Sequence, residues 1–359
     1  MQGNIDQATK VREGEHISED KLRKYLTENT EIDVRQLEIL QYPGGFSNLT
    51  YQVNTLTDSF VLRRPPIGAN IKSAHDMKRE FDILQLLHDV YPKAPKPIHY
   101  CADTSIIGAE FYLMQRVEGV ILRNKIPDGL ALNQGDLKAL SISCIDNLSA
   151  LHQIQVIDTP LASIGKPEGY VSRQVSGWIG RYEKAATDDI NSLNMVMDWM
   201  KSQIVSETGI ALIHNDYKYD NLVLNPKQID DIMAVLDWEM CTIGDPLMDL
   251  GTSLAYWAET EDHPALKPFN LTWLPGNLNR EQVVDRYQTK SNIKLDNIVF
   301  YYVFGTFKVA VIAQQIYARY KMGLTQDKRF ADLIHVVKAC GHNASKAIKL
   351  NRISQLNKS

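Results

Sequence analysis

Cysteine is scarce and scattered in this chain: Cys101, Cys144, Cys241 and Cys340 are the only four in 359 residues, with no C-x-x-C pair. That excludes a zinc module, which needs closely spaced thiolate or imidazole ligands, and a disulfide-dense secreted scaffold. Reduced thiols in a cytoplasmic protein are the expectation. Neither sign of charge dominates, since 39 Lys and Arg face 43 Asp and Glu for a net charge of −4. General attraction for nucleic acid or acidic membranes is therefore excluded as a main function. The first residues, from Met1 to Gln7, have neither a basic start nor an apolar run, so no signal peptide is expected. Long hydrophobic runs are also missing. The longest, Ile298 to Ala313, carries Lys308 at its middle and runs into Gln314-Gln315. It reads as too short and too interrupted to span a bilayer, and a core helix is expected.

What remains is ordinary globular composition, 44% hydrophobic and 23% charged, with length enough for two lobes around a cleft. The first 33 residues are polar with one helix signal: Ser18 as N-cap, Glu19 and Asp20 in the first turn, and Leu22, Tyr25 and Leu26 on one face. From Leu37 to Arg64 short β-like runs follow (Leu37 to Leu40, Thr50 to Thr55, Phe60 to Arg63), broken at Gly44-Gly45 and Thr57-Asp58. Ser73 can cap a helix with the stripe Met77, Phe81, Leu84 and Leu87, and Phe111 to Val117 reads as a further strand. Glu118-Gly119 reads as a hinge. The expectation is an α+β fold with a small antiparallel-sheet lobe over 1–117, including a leading helical segment 1–33, and a larger α-rich lobe over 118–359. Helical periodicity recurs in that second lobe around 137–151, 191–205, 246–258, 281–289 and 298–320. Its exception is 210–237, with three short apolar runs and polar residues crowded between them.

Those polar residues carry the chemistry. His214-Asn-Asp216-Tyr-Lys218-Tyr-Asp-Asn221 has the spacing H-x-D-x-x-x-x-N, and Asp237 ends the next strand of an expected hairpin. Phosphoryl transfer needs a carboxylate to orient the attacking hydroxyl and oxygen ligands to hold Mg²⁺ against nucleotide phosphates. Asp216 fits the first role, Asn221 and Asp237 the second. Any one of these residues could simply cap a turn. The ordered set, ending one strand and closed by another, is much harder to obtain that way.

With GGFSNLTYQV, FVLRRPP, KREFDIL, HNDYKYDNLVL and LDWEMCTIGDPLMDLG, the chain resembles the aminoglycoside phosphotransferase and choline kinase relatives of the protein kinases. More narrowly it resembles the kinase-like branch that also occurs fused to acyl-CoA dehydrogenases. The resemblance runs from about residue 35 to beyond 320 and implies a two-lobed protein-kinase-like fold using ATP and Mg²⁺. It implies Asp216 as catalytic base, Asn221 and Asp237 as metal ligands, and Gly44, Gly45, Phe46, Ser47 and Asn48 as the loop over the phosphates. Backbone groups of Gln115 to Val117 would meet adenine. One departure stands out: where protein kinases place a lysine on the third strand, this chain has Arg63, followed by Arg64. Glu80 lies at helical spacing between Met77 and Leu84, where a carboxylate needs a cation, and Arg63 is its expected partner. Lys218 could neutralise the transferred phosphoryl group or be a surface lysine. His214 is expected to brace the loop, and Glu239 to hold metal indirectly or to face solvent. Asp245 before Pro246 reads as an N-cap, and Asp249 as a positioning residue. His152 receives no role.

The expected function is transfer of the ATP γ-phosphate to a hydroxyl of a small metabolite, with a hydroxyacyl-CoA-like anion as the favoured acceptor. Aminoglycoside phosphorylation is one alternative. A catalytically silent nucleotide-binding protein is another, motivated by the arginine in place of lysine. A protein kinase is disfavoured because Asp237-Trp238-Glu239 replaces D-F-G and leads directly to GDPLMD, leaving little room for an activation segment. Residues 333–359 are basic (Lys338, Lys346, Lys349, Arg352, Lys358) and lack carboxylate side chains, which disfavours a polycationic acceptor if that tail lies near the cleft.

Overall fold

In the computed structural model of the chain, the described residues are 7–43, 48–66, 76–203, 205–325 and 327–358. They form two compact units, one from 1–120 with 233–239 and one from 121–232 with 240–359.

The first unit is built on an antiparallel sheet of five strands, β1 (Glu38–Gln41), β2 (Leu49–Asn54), β3 (Ser59–Arg64), β4 (Pro97–Cys101) and β5 (Phe111–Gln115). Their order is β1-β2-β3-β5-β4. The period-two alternation puts Leu62 and Arg64 on one face and Arg63 on the other. On the first face, α1 (Glu19–Asn29) buries Leu22 and Leu26 against Tyr51, Val53, Leu62 and Leu113. Its N-cap is Ser18, as expected. The second face takes α2 (Met77–Leu87), whose Phe81 meets the rings of Tyr100 and Tyr112. The cap of α2 is Asp76, which accepts from the Arg79 amide; Ser73, the expected cap, lies outside the described residues. β4 and the short α3 (Thr104–Ile107) carry no strong sequence signal. β4 starts at Pro97 on the sheet edge, a position where a missing N–H is harmless.

The second unit is helical: α4 (Gln134–His152), α5 (Tyr170–Ala185), α6 (Asn191–Ser202), α7 (Pro246–Tyr256), α8 (Arg280–Ser291), α9 (Ile298–Lys321) and α10 (Leu333–Leu350). β6 (Ala211–Ile213) pairs antiparallel with β9 (Thr242–Gly244), and β7 (Leu222–Asn225) with β8 (Gln228–Val235) forms the expected hairpin. α9 follows the helical periodicity expected over 298–320, and at 24 residues it runs past the Ile298–Ala313 apolar stretch and has the length and composition to cross a membrane, against the expectation of too short a span. However, 78% of its apolar window is buried, and α5, α6, α7 and α10 pack on it, as suits a core helix. α7 and α9 cross at Gly251 and Gly305. A Cβ on Gly305 would lie 2.1 Å from the Gly251 carbonyl oxygen, so the backbones can meet only without side chains there.

Beyond β8 the chain runs on with the first unit. The Val235 amide donates to the Lys93 carbonyl at 2.8 Å, and Trp238 meets Tyr91 edge-on at 5.7 Å. Asp237 and Glu239 are carried with that anchor.

Candidate active site

The conspicuous polar residues fall into two clusters, one in each unit. In the first unit the centre is Arg63, 8% exposed. Its Nη1 bonds Glu80 Oε1, its Nη2 donates to Asp237 Oδ1 at 3.0 Å, and Glu239 Oε2 is 3.8 Å away. Burial works against the guanidinium charge, but Glu80, Tyr112, Asp237 and Glu239 outweigh it and hold the Arg63 pKa well above its ordinary value. Glu80, 1% exposed, does not reach solvent, and Arg63 is the partner that its position on α2 calls for. Glu239 is half-buried and tied in: its carboxylate accepts from Asn48 Nδ2 at 2.9 Å, and its carbonyl accepts from Arg79 Nη1 at 2.8 Å. Arg79 was not marked by the sequence reading, because a helical arginine beside a buried stripe is usually surface. Arg64 points to the opposite face and is structural, donating to Tyr51 Oη and to the carbonyls of Ile107 and Glu15.

Of the expected phosphate loop, Asn48 is the described member; Gly44, Gly45, Phe46 and Ser47 lie outside the described residues. Of the expected adenine contacts, the Gln115 amide is engaged by the Lys96 carbonyl at 2.8 Å, and Val117 follows the end of β5.

In the second unit the centre is Asp216, on the turn after β6. The Asn221 Nδ2 donates to its carboxylate at 2.9 Å and to its carbonyl at 2.8 Å, and Lys218 Nζ donates to Oδ2 at 2.8 Å. Lys218 is therefore no surface lysine: its side chain is 14% exposed and its ammonium sits 4.5 Å from the Tyr256 ring centroid. Burial opposes its charge, but the adjacent Asp216 carboxylate outweighs that and holds its pKa above the ordinary lysine range.

The turn is braced from α7. Asp249, fully buried, accepts the amides of His214 at 2.7 Å and Asn215 at 2.8 Å. His214 in turn accepts the Asp216 amide on Nδ1 at 3.2 Å, the bracing role expected of it. His152, passed over in the sequence, completes the brace. Its Nε2 is 3.1 Å from Asp249 Oδ2 and its Nδ1 2.7 Å from Tyr287 Oη. The ring thus links the Asp249 carboxylate to the Tyr287 hydroxyl, one nitrogen to each. Burial opposes ionisation of Asp249, but His152, His214 and the backbone amides outweigh it and lower its pKa. Asp245 caps α7, accepting from the Leu247 amide at 2.8 Å, with Pro246 in the first turn. No sequence signal marked His152, because its spacing on α4 is that of an ordinary core position.

Asn215 (φ 67°) and Asp237 (φ 68°) both hold left-handed backbone, each beside or at an expected chemical residue. Asn and Asp tolerate that region better than other L-residues, and such strain concentrates at functional sites. Among the described residues no group of three or more His, Cys, Asp or Glu gathers as a metal site.

Residues 38–283 match the model of the phosphotransferase enzyme family. The chain is 34% identical over 316 residues to human acyl-CoA dehydrogenase family member 11, covering 86% of this chain but 40% of that protein. It thus spans well under half of that relative. Among solved structures, a protein from Ralstonia eutropha assigned as an aminoglycoside phosphotransferase superposes with TM-score 0.79 at 24% identity, over 93% of this chain and 99% of that one. A thermostable aminoglycoside phosphotransferase variant in ternary complex with AMP-PNP and hygromycin B superposes with TM-score 0.58 at 14% identity, over 89% of this chain and 96% of that one. The two-lobed kinase-like fold expected from the motifs is the fold of these neighbours.

Proposed function

Since the chain belongs to the phosphotransferase enzyme family and is a small-molecule kinase, we propose that it transfers the γ-phosphoryl group of ATP to a hydroxyl of a small anionic metabolite. A hydroxyacyl-CoA-like thioester is the favoured acceptor. The observation that carries the transfer chemistry is the Asp216 carboxylate, held by Asn221 and Lys218 on a turn fixed from beneath by Asp249. A carboxylate so fixed accepts a hydroxyl proton without reorganising. The acceptor oxygen bonds to the γ-phosphorus, the bond from that phosphorus to the β,γ-bridging oxygen breaks, ADP leaves, and the hydroxyl proton passes to Asp216.

Lys218 places a permanent cation beside the same carboxylate and offsets negative charge developing on the transferred group. Arg63 is the phosphate-binding cation, with Glu80 and Asp237 orienting its planar fork; arginine keeps the charge that the usual lysine supplies. By the family resemblance, Gly44 to Asn48 would cover the phosphates and Gln115 to Val117 would adjoin adenine. Asn221 and Asp237 would hold Mg²⁺. The hard oxygens of an amide and a carboxylate suit it, and the Asn221 Nδ2 is already turned to Asp216, which leaves the oxygen end of that amide for a cation. Bound there, Mg²⁺ would supply charge neutralisation on the nucleotide phosphates.

The retention of Asp216, Asn221, Asp237 and the whole brace argues against a silent nucleotide-binding protein, which would need none of them. Use of ATP is supported by the AMP-PNP complex of a fold neighbour, and the acyl-CoA-like acceptor by the acyl-CoA dehydrogenase naming of the human relative. Dialysed protein with ATP, Mg²⁺ and a panel of hydroxylated metabolites tests the reading. Turnover is expected with hydroxyacyl-CoA compounds and none with kanamycin-type compounds. Efficient aminoglycoside phosphorylation with hydroxyacyl-CoA inert would overturn the acceptor, and absence of any ATP-dependent transfer would overturn the kinase.

A further inference from the structure

The second unit contains a cavity of about 290 Å³ walled by α5, Lys308 of α9, the turn before α5 and Asn215. Charged residues lining it are Lys166, Arg173, Arg181 and Lys308, all cations, and no carboxylate lines it. None of the four forms an ion pair among the described residues. Arg173 is oriented by the carbonyls of Glu168 and Lys166. Arg181 stacks 4.4 Å from the centroid of the Trp178 ring, and Lys308 Nζ is 5.6 Å from the same centroid. Lys308 is 2% exposed and donates to the Asn215 carbonyl at 2.8 Å. Burial pushes its ammonium pKa down to about 8.

Four cations lining one volume with no carboxylate among the lining residues repel one another, and the Asp249 and Asp216 carboxylates only partly offset the desolvation of the buried Lys308 ammonium. An anion in the cavity would relieve both. None of the basic tail residues lines this volume: Lys346 is bound to Asn357, and Arg352 to the Gln355 carbonyl. The volume lies just below the roughly 300–1,000 Å³ of whole-ligand pockets and suits a charged group rather than an entire cofactor.

We infer that this cavity seats a phosphate-bearing end of the acceptor, gripped by Lys166, Arg173, Arg181 and Lys308. The inference rests on the proposed kinase reading for calling its occupant the acceptor. Asn215 is the chain neighbour of Asp216, about 3.8 Å away from Cα to Cα, so a group anchored here leaves the rest of the molecule beside the transfer turn.

Inorganic pyrophosphate is the probe, titrated calorimetrically into the full chain without Mg²⁺, with and without saturating ADP. Binding is expected to persist with ADP present. Arg173 and Arg181 are exposed, so the R173Q and R181Q variants should fold, which near-UV circular dichroism checks. Each is expected to weaken pyrophosphate about tenfold, the effect of losing one charge-assisted hydrogen bond. Displacement of pyrophosphate by ADP, or unchanged affinity in the R173Q/R181Q double variant, would overturn the inference. The measurement involves no turnover, so a chain that bound pyrophosphate here but transferred no phosphoryl group would refute the kinase reading and leave the anion site standing.

Discussion

The Arg63 cluster lends itself to a double-mutant cycle whose outcome is asymmetric for structural reasons. Glu80→Gln leaves Arg63 with Asp237 at 3.0 Å and Glu239 at 3.8 Å, so the cation keeps partners. Arg63→Met leaves Glu80, 1% exposed, without the cation it pairs with and beside the Asp237 and Glu239 carboxylates. Removing one member of a buried pair costs about 3–5 kcal/mol when the remaining charge is stranded. That range applies to Arg63→Met; Glu80→Gln should cost about 1–2 kcal/mol, nearer the loss of a single charged hydrogen bond. The double variant should cost about 2–3 kcal/mol, since neutral residues of similar volume pack without a stranded ion. The coupling is then about −3 kcal/mol, well outside the additivity expected of independent sites. Urea unfolding of the four proteins, followed by the fluorescence of Trp238 and its fellow tryptophans at a constant m-value, measures it. Additivity within about 0.5 kcal/mol would refute the pairing, and Glu80→Gln costing more than Arg63→Met would refute the asymmetry. Arg63→Met should also raise the KM for Mg-ATP, whereas Arg63→Lys should recover part of it.

Asp216→Asn should lower kcat by about 10²- to 10⁴-fold while leaving nucleotide affinity in place, because an amide cannot take the hydroxyl proton. A kcat within a few-fold of the parent would remove Asp216 from the base role. Asp237→Ala should weaken Mg²⁺-dependent ATP binding in calorimetry, and equal Mg-ATP affinity would remove it from the metal site. Asp249→Asn presents an N–H₂ to amides that now meet a carboxylate, so kcat should fall with little change in acceptor KM; an unchanged kcat would make the brace purely structural. Lys308 gives a pH signature. Its folded pKa of about 8 lies below the ordinary 10.5, so the unfolded chain binds more protons between those values and stability should rise with pH across that window. The full effect is at most roughly 3 kcal/mol, and Lys308→Met should flatten it; an equal slope in both proteins would contradict the buried-ammonium assignment.

How much was legible in the sequence divides along the range of the forces involved. α1, the first three strands, α2, the β7–β8 hairpin and the cap of α7 follow from local rules, where a side chain and its near neighbours decide the backbone. Spacing along one loop likewise put Asp216, Lys218 and Asn221 together, because five residues of chain cannot separate them far. The alternation of β3 by itself assigns Arg63 and Arg64 to opposite faces. Tertiary structure decided what depends on chain segments far apart. β4 and β9 are short edge elements stabilised by partners, with β9 pairing to β6 across some thirty residues. His152 has the periodicity of a packing residue, and only the placing of α4 against α7 turns it into the brace of Asp249. Lys308 was legible as an interruption of an apolar helix. That its ammonium faces the same volume as Arg173 and Arg181 required α5 to be laid beside α9, a packing choice made by buried area, which no local pattern encodes.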